Sequence, residues 1–192
     1  MSFPVPLAAK RSASGVPTGR LAMWWVIGSE IVIFGGLLVS YILMRTMYDH
    51  WSEYAAATNI IFGSINTFVL LTSSLSIVLA HHYSQQGDGQ KAFKFIWLTI
   101  LGGAIFICVK AVEWTMEIQA GYTITANVFW SFYYTAAGIH ACHVIGGAIA
   151  MGIVSFDVRK NKNLQRVEIV GNYWHFVDLV WIFLFPLLYI AK

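Results

Sequence analysis

Five long apolar segments constrain the fold of this chain more than any other feature of its sequence. Each is near the length that a helix needs to cross a bilayer, since a hydrocarbon core of ~30 Å takes about 20 residues at 1.5 Å per residue. The segments occupy residues 21–44, 59–80, 93–112, 129–156 and 171–190. The sequence therefore predicts an all-α polytopic membrane protein with five transmembrane helices in one bundle.

The composition agrees with a membrane protein. Of the 192 residues, 58% are hydrophobic and 11% are charged, whereas an ordinary globular domain carries about 25% charged residues. The net charge of +3 is small and dispersed along the chain. We therefore do not expect nucleic acid among the partners.

The connections between the apolar segments are short and contain no second apolar core. They predict a single helical domain over residues 21–192. Residues 1–20 are polar, rich in small residues and Pro, and lack the apolar stretch of a cleaved signal peptide. We expect them to form a flexible cytoplasmic tail, with the first spanning helix directing the chain to the membrane.

Basic residues predict the orientation of the bundle, because Lys and Arg in short loops stay on the cytoplasmic side. Nine of the twelve lie in the tail, the second loop and the fourth loop. These nine are Lys10, Arg11, Arg20, Lys91, Lys94, Arg159, Lys160, Lys162 and Arg166. The N-terminus is therefore predicted in the cytoplasm and the C-terminus in the periplasm.

Ionisable residues inside the apolar segments are costly in lipid and normally face other protein. Glu30 lies about ten residues, or ~15 Å, into the first segment, and His143 and Asp178 lie at similar depths in two others. His175 is on the same helical face as Asp178. We expect buried polar groups that share a layer, with an ion pair or hydrogen bond joining the fifth helix to the first and fourth. The Ser and Thr of the second segment are further candidate partners.

Small and polar residues also predict how the helices pack. Gly138, Cys142 and Gly146 form a ridge at spacing four in the fourth segment, which favours close approach of another helix. Asn66 in the second segment is suited to hydrogen bonding between helices. Cys142 and Cys108 are expected to be small buried side chains. We find no ligand spacing typical of a metal site.

Several strings resemble subunit III of the haem-copper oxidases, the family of the cytochrome c and quinol oxidases. The first segment has GRLAMW at 19–24 and GSE at 28–30, and the second has INTFVLLTSS at 65–74. Lys110 and the pair Glu113-Trp114 match the end of the next helix. The fourth and fifth segments have GIHACHV at 138–144 and YWHFVDLVW at 173–181. The resemblance covers all five segments in order, and the chain is similar to the short, five-helix bacterial form of the family. Two departures are Ala141, where the family has Gly, and Pro186, which interrupts the last helix.

The resemblance implies a non-catalytic subunit of a respiratory oxidase in the bacterial inner membrane. Such a subunit holds no haem or copper, packs on the catalytic subunit I, binds phospholipid and supports proton uptake and durability during turnover. By this likeness Glu30 is the family's buried carboxylate, and Glu113 is a further buried candidate. Haem and copper are expected in subunit I, and the complex is a candidate for a larger supercomplex.

Three other functions stay open on the residues alone. The resemblance also fits an accessory subunit of a nitric oxide reductase. His143 and His175 form a candidate axial pair for a b-type haem, and intramembrane Glu, Asp and His suit a proton-coupled transporter. The electron donor of an oxidase complex, cytochrome c or a quinol, is left open because its site belongs to other subunits.

Overall fold

The computed structural model describes residues 15–191, and nearly all of this range is helical. Its six α-helices are α1 (Thr18–Met47), α2 (Trp51–Ala56), α3 (Ile60–Gln85), α4 (Gly89–Gln119), α5 (Val128–Arg159) and α6 (Arg166–Phe185), followed by a π-helix over Pro186–Ile190. All but α2 are long and apolar enough to cross a membrane, with α6 and the π-helix together forming the fifth span. The predicted fold class and the five spans are confirmed. Most of the predicted tail lies outside the described residues.

Three helices begin where the sequence supplies a side chain that caps the first turn. Each capping oxygen lies 3.0 Å from the backbone nitrogen that donates to it. The pairs are Asn59 with Ile61, Asp88 with Lys91 and Asn127 with Trp130. Such caps satisfy amides that have no partner within the helix. The Asp88 cap starts α4 at Gly89, before its apolar segment begins at residue 93, so α4 is longer than that segment.

The short helix α2 was not predicted, because its six residues lack the length of a spanning segment. It places the side chain of Trp51 inside the bundle, where it is 4% exposed. The Trp51 indole donates to the Tyr41 hydroxyl at 3.2 Å and packs edge-on against the ring of Phe129. The α1–α3 connection is therefore part of the core.

Pro186 ends the α-helical part of the last span, as its missing N–H and fixed ring predict. The chain continues as a π-helix, in which the amide of Ala191 donates to the carbonyl of Pro186 at 2.7 Å. The carbonyl of Leu187 accepts from the Tyr41 hydroxyl at 2.7 Å. This turn places Tyr189 in the bundle interior, where it is fully buried.

The helices are covered to different extents. In the most apolar stretch of the last span half of the residues are buried, whereas in the corresponding stretch of α1 only 11% are buried. The last span contacts α3 and α5 extensively, whereas α1 makes its contacts with α6 and α5 only along one side. The last span is therefore central to the bundle, and α1 presents most of its apolar surface outward.

The predicted packing ridge on α5 is wrong for contacts within this chain. A Cβ atom added at Gly138 or Gly146 would meet no other atom within 4 Å, and Cys142 is exposed. The close approach instead occurs at Gly147, whose added Cβ would lie 3.1 Å from the ring of Trp174. Spacing four selects one helix face, and the face that meets α6 is offset from it by one residue.

Cys108 is also exposed, contrary to the prediction of a buried side chain. Both cysteines line open apolar grooves between α4 and α5. Asn66, by contrast, is fully buried on α3, but its Oδ1 and Nδ2 make no hydrogen bond with the described residues, so the predicted hydrogen bond between helices is not seen.

Candidate functional site

Glu30 and His143 meet at the contact between α1 and α5. Oε2 of Glu30 lies 3.0 Å from Nε2 of His143, and the two side chains are 18% and 20% exposed. Nδ1 of His143 lies 2.8 Å from the carbonyl oxygen of Ile139. Because a carbonyl only accepts, Nδ1 carries a proton, and Nε2 is the ring nitrogen that faces Glu30. The pair therefore brings a carboxyl group and an imidazole from two spans together near the outer surface of the bundle.

His175 makes its polar contact with a different helix from the one expected. Its Nδ1 lies 2.8 Å from the hydroxyl of Ser74, which joins α6 to α3. Among the described residues, His175 makes no hydrogen bond with the first or fourth span. An ion pair does join the first and fifth spans, but at Arg20 and Glu168, whose Nη2 and Oε1 lie 2.6 Å apart. The sequence did identify the hydroxyls of the second span as candidate partners, and the structure selects one of them.

Asp178 is 5% exposed on the same face of α6. Its carboxylate oxygens make no hydrogen bond of good geometry with the described residues, and the hydroxyl that faces it, on Ser74, is already engaged with His175. It shares the depth of the Glu30–His143 pair but does not contact it. A carboxyl group in such surroundings is far more stable neutral than charged.

Two tryptophans add further hydrogen bonds between α6 and α3. The indole of Trp174 donates to the hydroxyl of Ser73 at 3.1 Å, and that of Trp181 donates to Thr67 at 3.0 Å. The donors are two helical turns apart on α6, and the acceptors are similarly spaced on α3. Together with the Ser74–His175 contact, these hydrogen bonds fix the register of α6 against α3.

A third cluster of polar residues lies where the C-terminal part of α4, the N-terminal part of α5 and the π-helix meet. We call it the Lys110 network; its members are Lys110, Glu113, Glu117, Tyr133 and Tyr189. Nζ of Lys110 lies 2.8 Å from Oε2 of Glu113, 3.1 Å from the Tyr133 hydroxyl and 2.7 Å from that of Tyr189. Lys110 is 1% exposed.

The Tyr133 hydroxyl is the hub of the Lys110 network. It lies 3.1 Å from Oε1 of Glu113, 2.9 Å from Oε1 of Glu117 and 3.0 Å from the hydroxyl of Tyr189. Of these residues only Glu113 was predicted as a site. The spacing of Lys110, Glu113 and Glu117 places them on one helix face, and that pattern was the available signal.

The structure also bears on the candidate haem ligands. His143 contacts α1 and its own helix, whereas His175 contacts α3, so the two imidazoles face different neighbours. In the described range, no three His, Cys, Asp or Glu side chains are grouped as a metal site would require.

The fold and these contacts define a polytopic helical membrane protein whose intramembrane ionisable side chains mostly pair between its own helices. The sequence matches the family described as cytochrome c oxidase subunit III over residues 14–192, and the chain belongs to that family.

Curated relatives match most of the chain. It is 33% identical to cytochrome c oxidase subunit 3 of Thermostichus vulcanus, covering 84% of this chain and 82% of that protein. It is 31% identical to the subunit 3 of Corynebacterium diphtheriae, covering 100% and 96%. It is also 29% identical to a haem-copper oxidase subunit I+III of Aeropyrum pernix, covering 90% of this chain and 22% of that longer protein.

Proposed function

We propose that this chain is a non-catalytic subunit of a respiratory haem-copper terminal oxidase in a bacterial inner membrane, where it packs on the catalytic subunit I. The observation that carries this proposal is the family match, which extends from residue 14 to residue 192 and so includes every span. Haem and copper belong to subunit I, and the present chain supplies packing surface, lipid contact and support for proton uptake.

The surface of α1 supports a role in contact with lipid and a partner subunit. This helix exposes large apolar side chains along most of its length, including Trp25 at 76% and Val32 at 74%. The Aeropyrum pernix relative carries subunits I and III in one chain, as its name states. A domain fused to subunit I must lie beside it in the same membrane, and α1 is the least covered span available for such contact.

The Glu30–His143 pair supports the link to proton uptake. Each side chain is about one fifth exposed, so a partner subunit that covers this face of the bundle could reach the pair. Ionisable residues at such depth commonly belong to proton pathways. In this proposal the pair buffers protons for the neighbouring catalytic subunit and stabilises the α1–α5 contact.

Optical spectra of separated subunits test the non-catalytic role. The isolated chain is expected to show no Soret band, while the intact complex shows the haem bands of subunit I. A Soret band in the isolated chain that disappears in His143→Ala or His175→Ala would instead assign a b-type haem to this chain. Mass identification of the large partner separates an oxidase from a nitric oxide reductase.

A further inference from the structure

The Lys110 network contains more negative than positive charge when every group takes its usual state. Its two carboxyl groups, on Glu113 and Glu117, are 1% and 6% exposed, and Lys110 is the only cation among its members. Besides Lys110, the groups that face the two carboxyls are the hydroxyls of Tyr133, Tyr134 and Tyr189 on α5 and the π-helix. Fully ionised, the network would carry one uncompensated buried negative charge, which is strongly destabilising.

A count of hydrogen-bond donors leads to the same deficit. The three protons of Lys110 are used by Glu113, Tyr133 and Tyr189. The Tyr133 hydroxyl has one proton but two carboxylate oxygens in range, at 3.1 Å on Glu113 and 2.9 Å on Glu117. The Tyr189 hydroxyl has one further proton and can donate it to Glu113, so that the Tyr133 proton goes to Glu117. The second oxygen of Glu117 is then left without a donor from within the network.

Tyr134 does not remove the deficit. Its hydroxyl lies 2.7 Å from the backbone carbonyl of Tyr122 but 3.4 Å from the second oxygen of Glu117, so its single proton goes to the carbonyl. One additional proton, placed between the two carboxyl groups, supplies the missing donor and cancels the excess charge together.

A small cleft adjoins the network. This cleft has a volume of 140 Å³ and is lined by Asn59, Phe62, Glu113, Glu117 and Tyr122, among others. It lies at the end of the bundle where α4 finishes, which the distribution of basic residues predicts to be periplasmic. The carboxyl groups of Glu113 and Glu117 therefore border this cleft.

We propose that the Lys110 network is a proton-binding site that holds one exchangeable proton, shared by Glu113 and Glu117 through the Tyr133 hydroxyl. A proton from water in the cleft binds to Glu117. When Glu117 passes it to the Tyr133 oxygen, Tyr133 releases its own hydroxyl proton to Glu113, and the reverse sequence returns the proton to water. Tyr133 stays neutral throughout, and the network gains one proton in all.

This site is separate from the Glu30–His143 pair and does not depend on which complex contains the chain. Infrared spectroscopy of that complex as purified tests it, because a protonated carboxyl group and a carboxylate have distinct absorptions. The wild type is expected to lose one acid signal per chain as the pH is raised. Glu113→Gln and Glu117→Gln should each abolish this pH-dependent acid signal. Either single change leaves Lys110 with one carboxylate, so no additional proton is needed to balance the charge.

The double variant separates a shared proton from two independent ones. A shared proton predicts that Glu113→Gln/Glu117→Gln loses the same single acid equivalent as each single variant. Glu53→Gln, on an exposed side chain of α2, is the matched control and should leave the signal unchanged. If the single variants retain the full acid signal, or the double variant loses two equivalents, the proposal is wrong.

Tyr133→Phe provides a second test that keeps both carboxyl groups. It should retain an acid signal but shift its frequency and its midpoint pH, because the bridging hydroxyl is gone. An unchanged signal would overturn the role of Tyr133 and, if the Gln variants fail to assemble, the proposal itself. Carboxylate bands that respond to sodium or potassium at fixed pH, without any acid signal, would make the ligand a metal cation and also overturn it.

Discussion

Oε2 of Glu30 lies 3.0 Å from Nε2 of His143, and this contact is one of the polar links between the most exposed span and the rest of the bundle. The ring of Phe34 packs edge-on against the same imidazole at 5.2 Å. In the proposed function, the pair has both a structural and a proton-linked role.

Replacing Glu30 separates these two roles. Glu30→Gln keeps a side chain that can hydrogen-bond to His143 but cannot ionise, so we expect normal haem content in the complex. Loss of the exchangeable proton should make oxidase activity decline faster over many turnovers. Glu53→Gln serves as the control in the same assay. A time course identical to wild type would leave Glu30 with the structural role alone.

Asp178 is expected to be a neutral, buried packing group. Asp178→Ala removes volume at the α6–α3 contact and should destabilise the chain by roughly 1–3 kcal/mol, which lowers the yield of assembled complex before it changes activity per haem. Asp178→Asn preserves the shape and should behave like wild type in a thermal unfolding assay. Equal damage by Asn and Ala would indicate that the ionised carboxylate is needed.

Two glycines provide a matched test of helix contact. A Cβ at Gly102 would lie 2.6 Å from Cβ of Ser73, whereas one at Gly138 meets no atom within 4 Å. Gly102→Ala should therefore destabilise the chain by about 1–3 kcal/mol through overpacking of α4 against α3. Gly138→Ala should be neutral or stabilising by up to about 1 kcal/mol, since Ala favours helix. Comparable melting temperatures of the two variants would contradict the described α3–α4 contact.

Removing the buried cation should be severe. Lys110→Met leaves Glu113 and Glu117 without their ammonium partner, and breaking a buried pair in this way costs roughly 3–5 kcal/mol. Lowering the pH protonates the carboxyl groups, so the variant, with two uncompensated carboxylates, should regain more stability in acid than the wild type, which has one. Lys91→Met, on a solvent-exposed side chain, should be close to wild type. A Lys110→Met variant equally unstable at every pH would argue against the charge imbalance.

Hydropathy alone predicted the spans because bilayer thickness fixes their length. Depth along two helices brought Glu30 and His143 into one layer correctly. The Lys110 network was only partly foreseen, because Tyr133 and Tyr189 come from distant positions and their approach depends on how α5 and the π-helix rotate. The same rotational freedom explains the error on α5, where Gly147 rather than Gly146 meets Trp174.

Copurification in mild detergent tests the central claim most directly. A tagged form of this chain, extracted from its native membrane, is expected to carry with it a large subunit that contains haem and copper and is identified by mass as oxidase subunit I. The tag alone, on an unrelated membrane protein, controls for carry-over. A chain that runs by itself under conditions in which other respiratory complexes stay intact would contradict the account.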